Sequence, residues 1–208
     1  MKHFLGIEVA QGSQGLFLRQ HKYALEILQE CGLLVAKPTE FPIEENHKLA
    51  LADGRLLKDA AQFCRFVGRL LYLTITCPDL VYVVHILSQF MQAPREEHIE
   101  VARDVLWYLK GTTSLGIILK ANTNLKLYGF CDSNWGACPL SRRSSIGYFV
   151  RLGESPISWK TKKQATVFRS SAEAEYRSIA VATSELVWLR SFFSFLRGLP
   201  NVTHEAVL

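Results

Sequence analysis

The chain has 208 residues, of which 49% are hydrophobic and 21% charged; that is room for one full domain and part of another, in ordinary globular composition that argues against general disorder. Its formal charge of +5 points towards a polyanionic partner. The five cysteines, Cys31, Cys64, Cys77, Cys131 and Cys138, are odd in number, widely spread and free of any Cys-x-x-Cys pair, so neither a disulfide framework nor a zinc site is supported.

In chain order, Met1-Lys2-His3-Phe4-Leu5-Gly6 reaches Glu8 too soon to hold the apolar region of a signal peptide, and an intracellular, reducing setting, cytoplasmic or nuclear, is expected. Phe4 to Val9 and Leu16 to Arg19 read as two strands of a hairpin around Gln11-Gly12-Ser13-Gln14-Gly15, whose glycines permit the positive φ of a reversal. Tyr23, Ile27 and Cys31, with Ala24, Leu25 and Leu28, recur at helical spacing before a stop at Gly32. From Lys37 to Lys58 the periodicity fades among Pro38, Pro42 and Asp53-Gly54, which reads as a linker. Asp59 to Thr76 and Leu80 to Met91 predict two helices split by Cys77-Pro78-Asp79, and Pro94 opens a third that runs to Lys110 and Gly111.

After Gly111 the texture turns to β. Leu115–Lys120, Leu125–Cys131, Ile146–Leu152 and Pro156–Lys160 are rich in Tyr, Val, Ile, Phe and Trp. One long helix follows, from about Ser171 to Leu196. Its most apolar stretch, Leu186 to Leu199, is cut by Arg190 and Arg197 and falls short of the roughly 20 apolar residues a membrane span needs, so no membrane partner is expected. His85 and His98 read as packed or surface histidines rather than ligands, and no phosphate loop or Ser-His-Asp arrangement stands out.

Nine collinear blocks then carry a resemblance. They are Phe4-Leu5-Gly6-Ile7-Glu8-Val9, Val67-Gly68-Arg69-Leu70-Leu71-Tyr72-Leu73, Thr76-Cys77-Pro78-Asp79, Leu87-Ser88-Gln89-Phe90-Met91, Tyr108-Leu109-Lys110-Gly111-Thr112, Cys131-Asp132-Ser133-Asn134-Trp135, Arg142-Arg143-Ser144-Ser145-Ile146-Gly147-Tyr148, Ile157-Ser158-Trp159-Lys160 and Ser170-Ser171-Ala172-Glu173-Ala174-Glu175-Tyr176. In order and spacing they resemble the copia-type retrotransposon Pol polyprotein. The resemblance implies a mixed α/β fold. Residues 1–36 would be the end of a reverse transcriptase palm and thumb, 37–58 a linker, 59–111 a helical connection, and 112–208 a partial ribonuclease H-like domain of three antiparallel strands and a long helix. The metal-binding aspartates of the polymerase lie upstream in the family, so an upstream remainder of the polyprotein is an implied partner and these residues are not expected to polymerise.

The sequence departs from the family at three places. Asn134 stands where an acidic residue is common, Trp135-Gly136-Ala137-Cys138 replaces a Trp-Ala-Gly-Cys order, and Ala206-Val207-Leu208 reads as the start of the strand that in the family carries the next catalytic aspartate. The sheet is accordingly expected to stop before its parallel strands.

The implied reaction is cleavage of RNA in an RNA:DNA hybrid, assisted by two Mg²⁺ ions, which take oxygen ligands. Asp132, at the end of a predicted strand, is the first candidate for a catalytic metal ligand; taken without the resemblance, it reads as a turn cap. Helix geometry selects the second. From Glu175, steps of three or four reach Ile179, Ala182, Leu186, Leu189 and Phe193, a stripe that must face the sheet, so Glu175 is expected to point inward, where a bare carboxylate is costly unless paired or bound to a cation. The alternative is a partly solvated glutamate at a helix end. Glu173 lies three after Ser170 and four before Arg177, which suits a capping box and a surface ion pair.

Between Ser141 and Arg177 basic residues outnumber acidic ones by five, the whole excess of the chain. Arg142, Arg143, Lys160, Lys162, Lys163 and Arg169 are therefore the candidate nucleic-acid contacts, although the Lys160-Thr161-Lys162-Lys163 run is equally an ordinary solvated loop. Trp135, Tyr148, Trp159 and Phe168 could stack on bases, but in β-rich segments they read as core. Two functional readings remain: a ribonuclease H segment impaired by the missing later acids, and a non-catalytic remnant that binds nucleic acid or protein.

Overall fold

A computed structural model describes residues 2–35, 37–44, 47, 49–197 and 204–207. The chain divides into two compact units, Met1–Gln11 with Phe17–Ile117, and Gly12–Leu16 with Ile118–Leu208. Both are mixtures of helix and sheet, as the resemblance implies.

The first unit holds strands β1 (Lys2–Phe4), β2 (Ile7–Gly12) and β3 (Gly15–Arg19), helices α1 (His21–Glu30), α2 (Ala60–Leu73), α3 (Val81–Ser88) and α4 (Glu96–Thr112), and the start of β4 (Gly116–Lys120). Strand order in this sheet is β1-β2-β3-β4. The single strand expected over Phe4–Val9 is broken by Leu5 and Gly6, at φ 48° and 76°, which fold β1 back so that Lys2 lies opposite Val9 and Phe4 opposite Ile7. A two-residue reversal needs such left-handed residues, and a leucine in that role leaves no sequence signal. The Tyr72 hydroxyl donates to the Leu5 carbonyl and braces the turn. The strand read with the ribonuclease H segment at Leu115–Lys120 joins this first sheet instead, because Gly116 has no Cβ to meet the Leu18 carbonyl.

Ile27, Leu28, Phe63, Leu70, Leu80, Leu87 and Leu109 are fully or almost fully buried and form the centre of the first unit. Asp59 caps α2, its Oδ1 accepting the Gln62 N–H at 3.0 Å. His98 is one of the packed histidines: 2% exposed, it stacks on Phe90 with centroids 4.0 Å apart. Its Nδ1 accepts the Arg95 N–H at 2.8 Å and its Nε2 lies 3.1 Å from the Leu49 carbonyl. Both contacts suit the neutral ring, and burial holds its pKa below the ordinary 6.5.

The second unit is built on β5 (Leu127–Asn134), β6 (Ser145–Leu152), β7 (Ser155–Lys163), helix α5 (Ser171–Arg197) and β8 (His204–Val207). Strand order is β7-β6-β5-β8. The first three strands are antiparallel, whereas β8 runs parallel to β5 with Leu127 opposite His204 and Phe130 opposite Val207. The expectation of a sheet ending before any parallel strand is thus corrected; Leu208 lies outside the described residues. Leu127, Val150 and Leu186 are fully buried, with Leu189 beside them. A Cβ on Gly129 would sit 2.8 Å from Leu186 Cδ1, so α5 covers the face of β5 to which Leu127 and Gly129 belong. Alternation along a strand then leaves Tyr128, Phe130, Asp132 and Asn134 on the other face.

Taken over Ser171–Leu196 rather than from Leu186 onward, α5 is long and apolar enough to cross a membrane by length and composition. The alanines and branched residues of its first half raise the hydropathy that the shorter stretch lacks. In this fold Ala182, Leu186 and Leu189 pack on the sheet, while Trp188 and Phe195 stay exposed.

Two stability outcomes follow from these contacts. Gly129→Ala lowers the unfolding free energy by about 1–3 kcal/mol through overpacking against Leu186. Gly147→Ala, whose Cβ meets nothing closer than 3.6 Å, costs less, and denaturant titration of both variants checks the difference. Because the neutral form of His98 is favoured in the folded state, its contribution is present above pH 6.5 and is lost as pH falls below that value; His98→Gln flattens the stability profile between about pH 7 and 5.5.

Candidate functional site

The loop after β5 brings the end of that strand to the start of α5. Trp135 Nε1 donates to the Phe168 carbonyl at 3.0 Å, three residues before the helix begins, and Phe168 is buried. Gly136, at φ 61°, donates its N–H to the buried Ser144 hydroxyl at 3.1 Å. A Cβ there would lie 3.2 Å from the Arg142 guanidinium, which gives a physical reason for glycine at 136 rather than 137. Arg142 itself is held at φ 53° by a backbone bond of 2.8 Å to Cys138 O, and Cys138 N–H donates to Arg143 O at 3.2 Å.

At the head of α5, Glu173 N–H donates to Ser170 Oγ at 3.2 Å and Glu173 Oε2 accepts the Arg169 N–H at 2.9 Å. This cap is the structural role expected of Glu173; the ion pair with Arg177 is not found among the described residues. Glu175 needs correction. On an ideal helix it lies within about 20° of Ala182 and Leu186, yet it is exposed while those two are buried. At the head of α5 the buried positions are Ala174 and Ser178, so the packed face there passes to one side of Glu175 rather than through it. The burial cost that singled out Glu175 from sequence therefore does not arise.

Asp132 is also exposed and lies opposite Gly147. It occupies the sheet face turned away from α5, so Glu175 can share a cation with it only by reaching round the end of β5. Among the described residues no group of three or more His, Cys, Asp or Glu side chains could hold a metal ion. Mg²⁺ commonly binds through one or two carboxylates together with water and substrate phosphate. These two carboxylates match that donor type for one ion, but they do not make a two-ion centre.

The basic candidates divide between faces. Lys160 lies opposite Tyr148 and Lys162 opposite Ile146, on the α5 side, where they line a cavity of about 300 Å³ with Val181, Ser184 and Glu185. Ser158 Oγ donates to Glu185 Oε1 at 2.7 Å in the same wall. Lys163 projects from the opposite face. Arg142 and Arg143 are exposed in the loop after β5, and Arg169 is exposed before α5. They surround the second unit's loop end without forming a single patch.

Comparison with known proteins gives relatives over nearly the whole chain. The Retrovirus-related Pol polyprotein from transposon RE2 of Arabidopsis thaliana is 43% identical over 208 residues, 100% of this chain and 14% of the relative. That from transposon RE1 is 42% identical over 94% of this chain and 13% of its own length. An uncharacterized mitochondrial protein of Arabidopsis thaliana is 42% identical, with 89% of this chain matching 77% of it. This chain thus spans 13–14% of the length of those Pol polyproteins. No family model matches the chain, and no solved structure matches it.

Sequence reasoning missed Cys138. Partial burial raises its thiol pKa, but hydrogen bonds from Lys163 and from the backbone N–H groups of Ser141 and Leu140 overcome this and bring it down to about 7. Cys77, by contrast, is pushed up to about 11 by burial. Only the chain's return at Lys163 creates this setting, so no local motif announces it. At pH 7.5 Cys138 is expected to be alkylated well ahead of Cys77, slowing as pH falls below about 7, since the thiolate is the nucleophile. Lys163→Gln should slow it further, and peptide mass spectrometry after brief alkylation checks both outcomes.

Proposed function

Because this chain belongs to the copia-type retrotransposon Pol polyprotein family, we propose that its second unit is the opening part of a ribonuclease H module acting on RNA:DNA hybrids inside the cell. In the same reading, the first unit is the end of a reverse transcriptase with its connection. Asp132 and Glu175 are the acidic contribution of these residues, and Mg²⁺ is the cofactor they help to hold. Arg142, Arg143, Lys160, Lys162, Lys163 and Arg169 contact the phosphates of the hybrid.

The observation that carries this reading is the bond from Trp135 to the Phe168 carbonyl. It ties the end of the strand bearing Asp132 to the helix bearing Glu175, so both carboxylates stand at one end of the unit. When bound, Mg²⁺ supplies an activated water and stabilises the leaving oxygen. The residues of this chain orient the ion through Asp132 and hold the polyanion with their cations. Two carboxylates are too few to fix two ions, so these 208 residues by themselves cleave hybrid little or not at all.

A purified sample incubated with RNA:DNA hybrid and Mg²⁺ is expected to give no cleavage above background. The same residues within a full-length Pol polyprotein should cleave, and Asp132→Asn should reduce that cleavage at least tenfold, since loss of a direct ligand costs no less than the roughly 10–100-fold of a supporting residue. Cleavage by the 208 residues alone, abolished by Asp132→Asn, would contradict the claim of insufficiency; full activity of the substituted polyprotein would remove Asp132 from the site.

The exposed cations at the loop end, Arg142, Arg143 and Arg169, favour a second reading, non-catalytic binding of nucleic acid. Salt-dependent hybrid binding that weakens when Lys162 and Lys163 are replaced by alanine, in a polyprotein that never cleaves, would select it.

A further inference from the structure

We propose that a single peptide group, the one joining Phe168 to Arg169, sets the place of Glu175 relative to Asp132, which makes Trp135 and Glu173 positioning residues of the cation site. The proposal rests on the nuclease reading for the existence of that site and adds to it how the site is held.

The peptide is gripped on both edges. Its carbonyl, on Phe168, accepts the Trp135 Nε1–H at 3.0 Å, and its N–H, on Arg169, donates to Glu173 Oε2 at 2.9 Å. Because a peptide group is planar, the two bonds pull on opposite edges of one rigid plate. An indole from the end of β5 holds one edge and a carboxylate from the first turn of α5 holds the other. Bonds in line through one amide also polarise and strengthen each other.

Both grips are themselves anchored. The peptide after Trp135 gives its N–H, on Gly136, to Ser144 Oγ at 3.1 Å, and Ser144 is fully buried. Ser144 O in turn accepts the Gln164 N–H at 2.8 Å, just past the end of β7. On the helix side, Glu173 N–H donates to Ser170 Oγ at 3.2 Å and Ala174 N–H to Ser170 O at 3.3 Å, with Ala174 fully buried. Residues 164–170, between β7 and α5, form no helix or strand, so these bonds and the buried Phe168 side chain place the head of the helix.

The candidate ligands depend on that placement. Asp132 and Glu175 are exposed, and neither carboxylate has a hydrogen bond or ion pair among the described residues. Only the backbone that carries them orients them, whereas Mg²⁺ accepts little departure from octahedral geometry. The two glutamates at the head of α5 divide the work. Glu173 is engaged by the Arg169 N–H, and Glu175, two residues on and about 200° round the helix, is left to reach the ion.

The test is Mn²⁺ binding to the whole 208-residue chain, read from the electron paramagnetic resonance of the free ion. Asp132→Asn should weaken binding. Trp135→Phe, which keeps an aromatic ring and removes the N–H, and Glu173→Ala should each weaken it about tenfold; the double variant should lose no more than either alone, because both act through one peptide. Glu173→Gln, whose amide oxygen still accepts the Arg169 N–H, should stay close to wild type, which separates the bond from the charge. In a Glu175→Gln background Trp135→Phe should have no further effect. Circular dichroism verifies folding; should Trp135→Phe unfold, Glu173→Ala, which leaves β5 untouched, carries the same test. Wild-type affinity in Asp132→Asn overturns the cation site and the proposal with it. Weakening by Asp132→Asn but not by Trp135→Phe or Glu173→Ala overturns the positioning alone, as does a Trp135→Phe loss that persists undiminished beside Glu175→Gln.

Discussion

The contact between Leu186 and the bare backbone of Gly129 decides which side of the second sheet is interior. With no Cβ at 129, the leucine settles between Leu127 and Val150, and α5 lies flat on that face. Because side chains alternate along a strand, this one approach sends Tyr128, Phe130 and Asp132 to the other side. The candidate acid therefore lies on the face turned away from α5, with Asp132 two residues beyond Phe130.

The same docking determines where the head of α5 ends. Its first turns are packed through Ala174 and Ser178, which leaves Glu175 exposed beside the buried face, and the Trp135 bond to Phe168 ties the segment before the helix to the end of β5. Position, rather than buried charge, makes the pair a candidate. Open carboxylates near loop cations can meet a ligand that brings its own phosphates, and they carry none of the desolvation cost that a buried pair would. A single Mg²⁺ shared with a nucleic acid suits that arrangement better than a closed metal cage.

Much of this was legible in the residues. The period of α5 located Ala182, Leu186 and Leu189 as core, Ser170 and Glu173 announced the cap, and the β texture after Gly111 marked the strands. What escaped were features that depend on partners distant in sequence. Nothing local tells that Leu5 takes a left-handed turn, that β4 leaves for the other sheet, or that Lys163 returns beside Cys138. Glu175 is the instructive case: the stripe drawn from it captured Ala182, Leu186 and Leu189, but at the head of the helix the buried positions are Ala174 and Ser178, a rotation that the packing partner sets and a helical wheel does not contain. That Phe130, Phe149 and Trp159 are neighbours across β5, β6 and β7 likewise emerges only once register is known.

The central claim is that the approach of Leu186 to the bare backbone of Gly129 decides which face of the second sheet α5 covers. A double-mutant cycle in denaturant titration tests it most directly. The account predicts that Gly129→Ala costs less stability in a Leu186→Ala background than in the wild type, because the truncated side chain leaves room for the added methyl. Equal costs in the two backgrounds would contradict it.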